Sequence, residues 1–168
     1  MHDTGLTTLK EWIRALSEAV IIIALMFVFL WPVQVEGVSM YPLIENGDRV
    51  AICRFAGKTG MYDRGDIVVF RDDNYPENMI KRIIAVGGDT LKIENGTVFV
   101  NGAELNEVYA KGFTEGEYYD VVPSDSVFVM GDNREMSIDS REFGTVKKDK
   151  IYGRLILRFY PFNKIKIF

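Results

Sequence analysis

Ser39 stands in GVSMYPLIENGDRV (37–50), just past the most apolar stretch of the chain, with Met40, Tyr41 and Pro42 directly after it. A serine hydroxyl attacks carbonyls only when a neighbouring base takes its proton. The lone histidine, His2, lies in the N-terminal tail, so the base has to be a Lys, Asp or Glu, and a His-based triad or zinc site in the body is excluded. One lysine suits the role. In NMIKRIIAVGGD (78–89), strand alternation puts Met79, Lys81 and Ile83 on one face and Ile80, Arg82 and Ile84 on the other. Apolar neighbours disfavour the ammonium form, lower the lysine pKa and leave neutral amine near neutral pH. Taken singly, a lysine among apolar residues more often snorkels from an edge strand, and Ser-Met before Tyr-Pro is an ordinary turn. Other serine motifs fail: Tyr41 occupies the second glycine position of G-x-S-x-G, and no S-x-x-K occurs.

A third stretch adds weight. VFVMGDNREMSIDSREFG (127–144) reads as a strand followed by a loop holding Asp132, Asn133, Arg134, Ser137, Asp139, Ser140 and Arg141. Its spacing does not match a twelve-residue calcium loop, and a plain surface loop is the other structural reading. Hydroxyls and carboxylates here could hold Lys81, with Asp–Arg pairs bracing the loop.

These groups need elements to carry them. Ala19 to Val33 is fifteen residues without a charge, about 22 Å as helix against a hydrocarbon core of ~30 Å. Extended to Leu16 and Val35, the stretch reads as a transmembrane anchor whose polar members, Ser17, Glu18 and Gln34, lie at the ends. Trp12 and Trp31 bracket it about 28 Å apart along a helix, Thr8 to Glu11 reads as a capping box, and Pro32 as the helix end. A cleaved secretory signal or a buried core helix would be alternatives, and charge counting does not orient the segment.

Downstream, β-rich runs alternate with turn signals. Strands are expected at 48–55, 66–70, 79–86, 90–93, 97–100, 127–130 and 153–159, with Asn46-Gly47, Asn95-Gly96 and Asn101-Gly102 as turns. RDDNYPEN (71–78) and AKGFTEGEYYD (110–120) read as ordinary surface loops. The fold class is therefore mainly β and antiparallel, with a tail and transmembrane anchor at 1–35 and a catalytic β domain at 36–168.

The 168 residues, 48% hydrophobic and 26% charged, suffice for one core and argue against disorder. Cys53 is the only cysteine, which excludes an internal disulfide. The net charge of −4 is uneven: residues 145–168 hold seven Lys or Arg against one acid, interleaved with Phe159, Tyr160, Phe162 and Phe168. That end suits an anionic lipid surface better than nucleic acid, which the acidic remainder would repel, although a solvated final strand explains it as well.

Taken together, the anchor, Ser-Met-x-Pro at 39–42, Arg-Gly-Asp at 64–66, Lys-Arg at 81–82 and Gly-Asp-Asn-Arg-x-x-Ser-x-Asp-Ser-Arg at 131–141 resemble the bacterial type I signal peptidases. The resemblance covers nearly the whole chain in order, and the last motif is highly specific. It implies a coil of antiparallel sheets on the outer face of the plasma membrane. It implies a Ser39 nucleophile, a Lys81 general base oriented by Ser137, and supporting ion pairs Asp139–Arg141 and Asp132–Arg82. Its implied partners are the lipid bilayer and the signal peptides of secreted preproteins, bound as an added strand and cut after small residues. No metal or organic cofactor is implied. Met40, Ile44, Met79 and Ile80 are expected to line the substrate pocket, and the accessory region around 90–126 to be a minimal hairpin and loop region.

Three residues depart from the family pattern. Leu43 replaces a Thr, Gly87 a frequent Pro, and Gly37 a hydroxyl that helps bind the oxyanion in some members, which leaves the Ser39 backbone N–H as the named donor. A self-cleaving repressor-type Ser-Lys protease would need a DNA-binding domain in place of the anchor. A tethered β-domain that holds precursors without cutting them is the alternative from another class.

Overall fold

The structure, a computed structural model, describes residues 4–55, 61–73 and 75–168. His2, and Asn74 of the loop expected at 71–78, lie outside them. Helix α1 runs Thr4–Phe29, and no Gly or Pro interrupts it after Gly5. It begins earlier than the expected capping box, so Thr8 lies inside it. Among the described residues no helix is long and apolar enough to cross a membrane.

The helix ends three residues before Pro32. Leu30–Gln34 forms strand β1, antiparallel to β2 (Arg49–Cys53), with Pro32 opposite Ala51. β1 is the edge of its sheet, where the missing proline N–H costs no ladder bond. Trp31 is therefore a strand residue, and the two tryptophans do not bracket a single helix. The sheet thus takes in residues that the sequence pattern assigns to the anchor.

The remaining strands are β3 (Ile67–Arg71), β4 (Asn78–Val86), β5 (Thr90–Glu94), β6 (Thr97–Val100), β7 (Ala103–Glu104), β8 (Tyr118–Val121), β9 (Ser126–Met130), β10 (Val146–Lys147), β11 (Ile151–Tyr160) and β12 (Lys166–Ile167). All seven expected strands are present, with ends shifted by at most two residues. The larger sheet is ordered β1-β2-β11-β3-β4-β9-β10, with β12 beside β11. The smaller is ordered β7-β6-β5-β8, so the accessory region contains the hairpin β5–β6 and adds β7 and β8 to it as a four-stranded sheet. Every named strand pair is antiparallel.

Asn95-Gly96 and Asn101-Gly102 close the smaller sheet's turns with positive φ at both residues, 50° and 80° in the first, as a type I′ turn requires. The sheets meet over a core that includes Ile84, Leu91, Ile93, Phe128 and Met130, with the Tyr118 and Phe128 rings 4.7 Å apart. The stretch 110–120 is more than surface: it enters β8 at Tyr118, buries Thr114, and bridges Lys111 to Asn133.

The basic C-terminal end is partly internal. Buried Arg158 donates to Asp48 and to the Leu43 carbonyl, while Lys150, Arg154 and Lys164 pair with Asp73, Asp66 and Glu45. Those four cations have acids of this chain as their partners.

Candidate active site

Ser39 sits in a turn after β1. The turn is closed by Tyr41 N–H donating to Val38 O at 3.1 Å and Ile44 N–H to Met40 O at 2.9 Å. Met40 and Ile44 are driven into a core cluster with Val50 and Leu155, which pins the turn from below. Lys81 is mid-strand in β4, opposite Val68 of β3, and only 5% exposed. Its Nζ lies 2.8 Å from Ser39 Oγ, a hydrogen-bond distance at which a neutral amine accepts the hydroxyl proton.

Burial pushes the Lys81 pKa down from 10.5 to about 8; the Asp139 carboxylate raises it and the Arg141 guanidinium lowers it by smaller amounts. The acidic limb of a kcat/KM profile should therefore lie near pH 8, with activity falling about tenfold per pH unit below it. A limb near ~10.4, the value for a solvated lysine, would contradict a dry amine.

The loop after β9 wraps both groups. Asn133 donates its backbone N–H to Ser39 O at 2.9 Å and its Nδ2 to Val38 O at 3.1 Å. Gly131 is gripped at both polar atoms, N–H by Asp139 Oδ2 at 3.0 Å and carbonyl by Arg134 Nε at 2.9 Å. Asp139 also caps helix α2 (Ser140–Phe143) and pairs with Arg141 at 2.8 Å. Arg82 and Asp132 form two parallel bonds of 2.8 Å, and Arg82 also donates to Gly65 O. Both ion pairs named by the resemblance are thus formed, Asp139–Arg141 within the loop and Asp132–Arg82 between the loop and β4.

Ser137 Oγ is buried and has no hydrogen-bond partner among the described residues, so the expected hydrogen bond to Lys81 is not formed in this structure. The hydroxyl faces Gly131 instead: a Cβ on Gly131 would lie 2.3 Å from it and 2.6 Å from Ser39 O. A buried hydroxyl without a partner is costly, which fits a group held for chemistry more than for stability. The Ser39 N–H also makes no hydrogen bond among the described residues.

A groove of about 870 Å³ contains the dyad and is lined by Val35, Val38, Val69, Met79, Ile80 and Ile138 among others. Met79 and Ile80 thus line the groove that holds Ser39 and Lys81. Met40 and Ile44 do not line it, because their side chains are buried under the turn. Asn133, Arg134 and the segment 105–117 are contributors that the sequence signals only as charge density, since nothing local marks an arginine as buried.

A family model described as "Signal peptidase, peptidase S26" matches residues 9–160. The chain is 34% identical over 178 residues to signal peptidase IB of Staphylococcus aureus, covering 94% of this chain and 93% of that protein. It is 37% identical over 169 residues to signal peptidase I P of Bacillus subtilis subsp. natto, covering 93% and 91%. A crystal structure of a signal peptidase I from Enterococcus faecalis V583 superposes with a TM-score of 0.52 at 29% identity, covering 56% of this chain and 97% of that one.

Proposed function

The chain belongs to the signal peptidase family, peptidase S26, and is a signal peptidase I; we propose that Ser39 is its nucleophile and Lys81 its general base in removing signal peptides from preproteins. What carries this reading is the 2.8 Å separation between the Ser39 hydroxyl and a lysine amine shielded from water.

Neutral Lys81 takes the Ser39 proton as Oγ bonds to the scissile carbonyl carbon. The Ser39 N–H donates to the oxygen that gains charge. The Lys81 ammonium then protonates the leaving nitrogen as the C–N bond breaks, which leaves an ester on Ser39. A water gives its proton to Lys81 and attacks that ester, and the proton returns to Ser39 as the product acid departs. Ser137, with an unfilled buried hydroxyl beside Gly131, is the candidate for orienting the amine. The Met79 and Ile80 walls restrict the side chain before the cut to small residues, and the open edge of β1 suits a substrate lying as an added strand.

In this reading the part of α1 from Leu16 to its end at Phe29 acts as a membrane anchor that stops where β1 begins, with the body on the outer face of the bacterial plasma membrane. The exposed apolar residues of α1 from Trp12 to Ile23 support that, and exposed Phe162, Ile165 and Ile167 give the C-terminal end a lipid-facing character. Membranes carrying the full chain should retain it through alkaline extraction and cut a precursor with Ala at the first and third positions before the cut. Ser39→Ala should lose cutting by at least ~10³-fold. Retained cutting in that variant sinks the nucleophile assignment; release by alkali sinks the anchor. A module that only holds precursors is not favoured, because no group of the dyad is missing.

A further inference from the structure

Arg134 is the most enclosed cation of the loop, with a side chain fully out of solvent. Its Nε donates to Gly131 O, while Nη1 donates to Glu107 Oε2 and Thr114 Oγ1, each at 2.8 Å, and Nη2 to Glu107 Oε1 at 2.6 Å. Both outer acceptors come from 105–117, the connection between β7 and β8 of the smaller sheet. The same segment reaches the other two parts of the site. The Arg82 guanidinium lies 4.1 Å from the Tyr109 ring centroid, and Lys111 Nζ lies 4.3 Å from that of Tyr41, two residues after the nucleophile. Lys111 also donates its N–H to Asp132 O at 2.7 Å and accepts from Arg134 N at 2.9 Å.

A buried pair such as Glu107–Arg134 adds little net stability, because desolvating two charges offsets their attraction. Its effect here is on position. Arg134 holds the Gly131 carbonyl, and Gly131 lies against Ser39 O and Ser137 Oγ with no spare space. We propose that Glu107 is a positioning residue for the reaction: through Arg134 it sets the place of Gly131, and through Gly131 the approach of Ser39 to Lys81. The smaller sheet is thereby a brace that reaches the nucleophile turn, the base strand and the covering loop through one connection. This rests on the reading of Ser39 and Lys81 as the dyad.

Glu107→Gln keeps the shape and removes the counter-charge. Measured per folded molecule, its kcat should fall about 10- to 100-fold, the scale expected for a reacting pair misplaced by up to 1 Å, while KM stays within about twofold. The acidic limb of its pH profile should not move, since the charges acting on Lys81 are Asp139 and Arg141. Glu107→Asp should restore part of the loss. A Gln variant with a lower Tm and undiminished kcat, or one with raised KM alone, overturns the proposal. If that variant does not fold, Thr114→Val removes one Arg134 partner and keeps the ion pair; about a threefold or larger drop in kcat at constant KM is expected, on the same misplacement argument, and unchanged kcat overturns the proposal. Ser39→Ala assayed alongside separates the two failures. An active Ser39→Ala defeats the dyad itself, whereas an inactive one beside a fully active Glu107→Gln defeats only the role of Glu107.

Discussion

Lys81→Met is expected to abolish cleavage and, at pH 7, to make the protein more stable. The folded-state pKa of about 8 lies below the unfolded value of 10.5, so the sign is that of a buried cation. Below pH 8 both states carry the proton, and the folded state bears the cost of an ammonium out of water. As pH rises through 8 the folded state releases it, while the unfolded chain holds its own until 10.5, so wild-type stability climbs across that window. Methionine fills nearly the same volume without the charge. Its advantage should be on the order of 3 kcal/mol at pH 7, or roughly 5–10 °C in Tm, and should shrink toward pH 10.5. Cleavage should drop by at least ~10³-fold, because no other base lies within reach of Ser39 among the described residues. Thermal melts at both pH values with a precursor assay decide it. A variant less stable than wild type at pH 7, or one that still cuts, removes the buried-base account.

Gly131→Ala should be nearly as damaging for a steric reason. No left-handed backbone conformation is involved; the obstacle is contact. The new methyl would lie 2.3 Å from Ser137 Oγ, 2.5 Å from Ser137 Cβ and 2.6 Å from the Ser39 carbonyl oxygen. A flexible side chain could yield, but the Ser39 backbone cannot move without carrying the nucleophile away from Lys81. Overpacking of this kind costs about 1–3 kcal/mol, and a displacement near 1 Å costs about 10²-fold in rate. The variant should therefore fold with a lower Tm and lose at least about 100-fold in kcat. Gly131→Ala/Ser137→Gly should recover stability more than activity, because the clash with Ser39 persists. Near-normal kcat in the single variant would show that the turn and loop are looser than these distances require.

Much of this was legible in local pattern. The lack of a body histidine, the grease around Lys81 and the crowded loop at 131–141 named the groups proposed to react, and alternation with Asn-Gly turns located seven strands. What was missed shares a cause. Leu30–Gln34 continues the apolar run of α1, and a short apolar run has no period that separates strand from helix; its partner β2 decides the matter. The stretch 110–120 looks like a loop because its polar residues find their partners in the covering loop, at Asp132, Arg134 and Glu135. Met40 and Ile44 neighbour the nucleophile along the chain, yet the turn sends their side chains to the core side.

Residue chemistry and backbone periodicity act over a few positions, so the amino-acid order alone determined which groups can react and which segments extend. Ser39 and Lys81 are 42 residues apart, and Glu107 and Arg134 are 27 apart. Their approach to hydrogen-bond distance, and the drying of the Lys81 amine, were decided only by the tertiary fold. Desolvation is a property of everything that surrounds a group, and no short stretch of chain contains it.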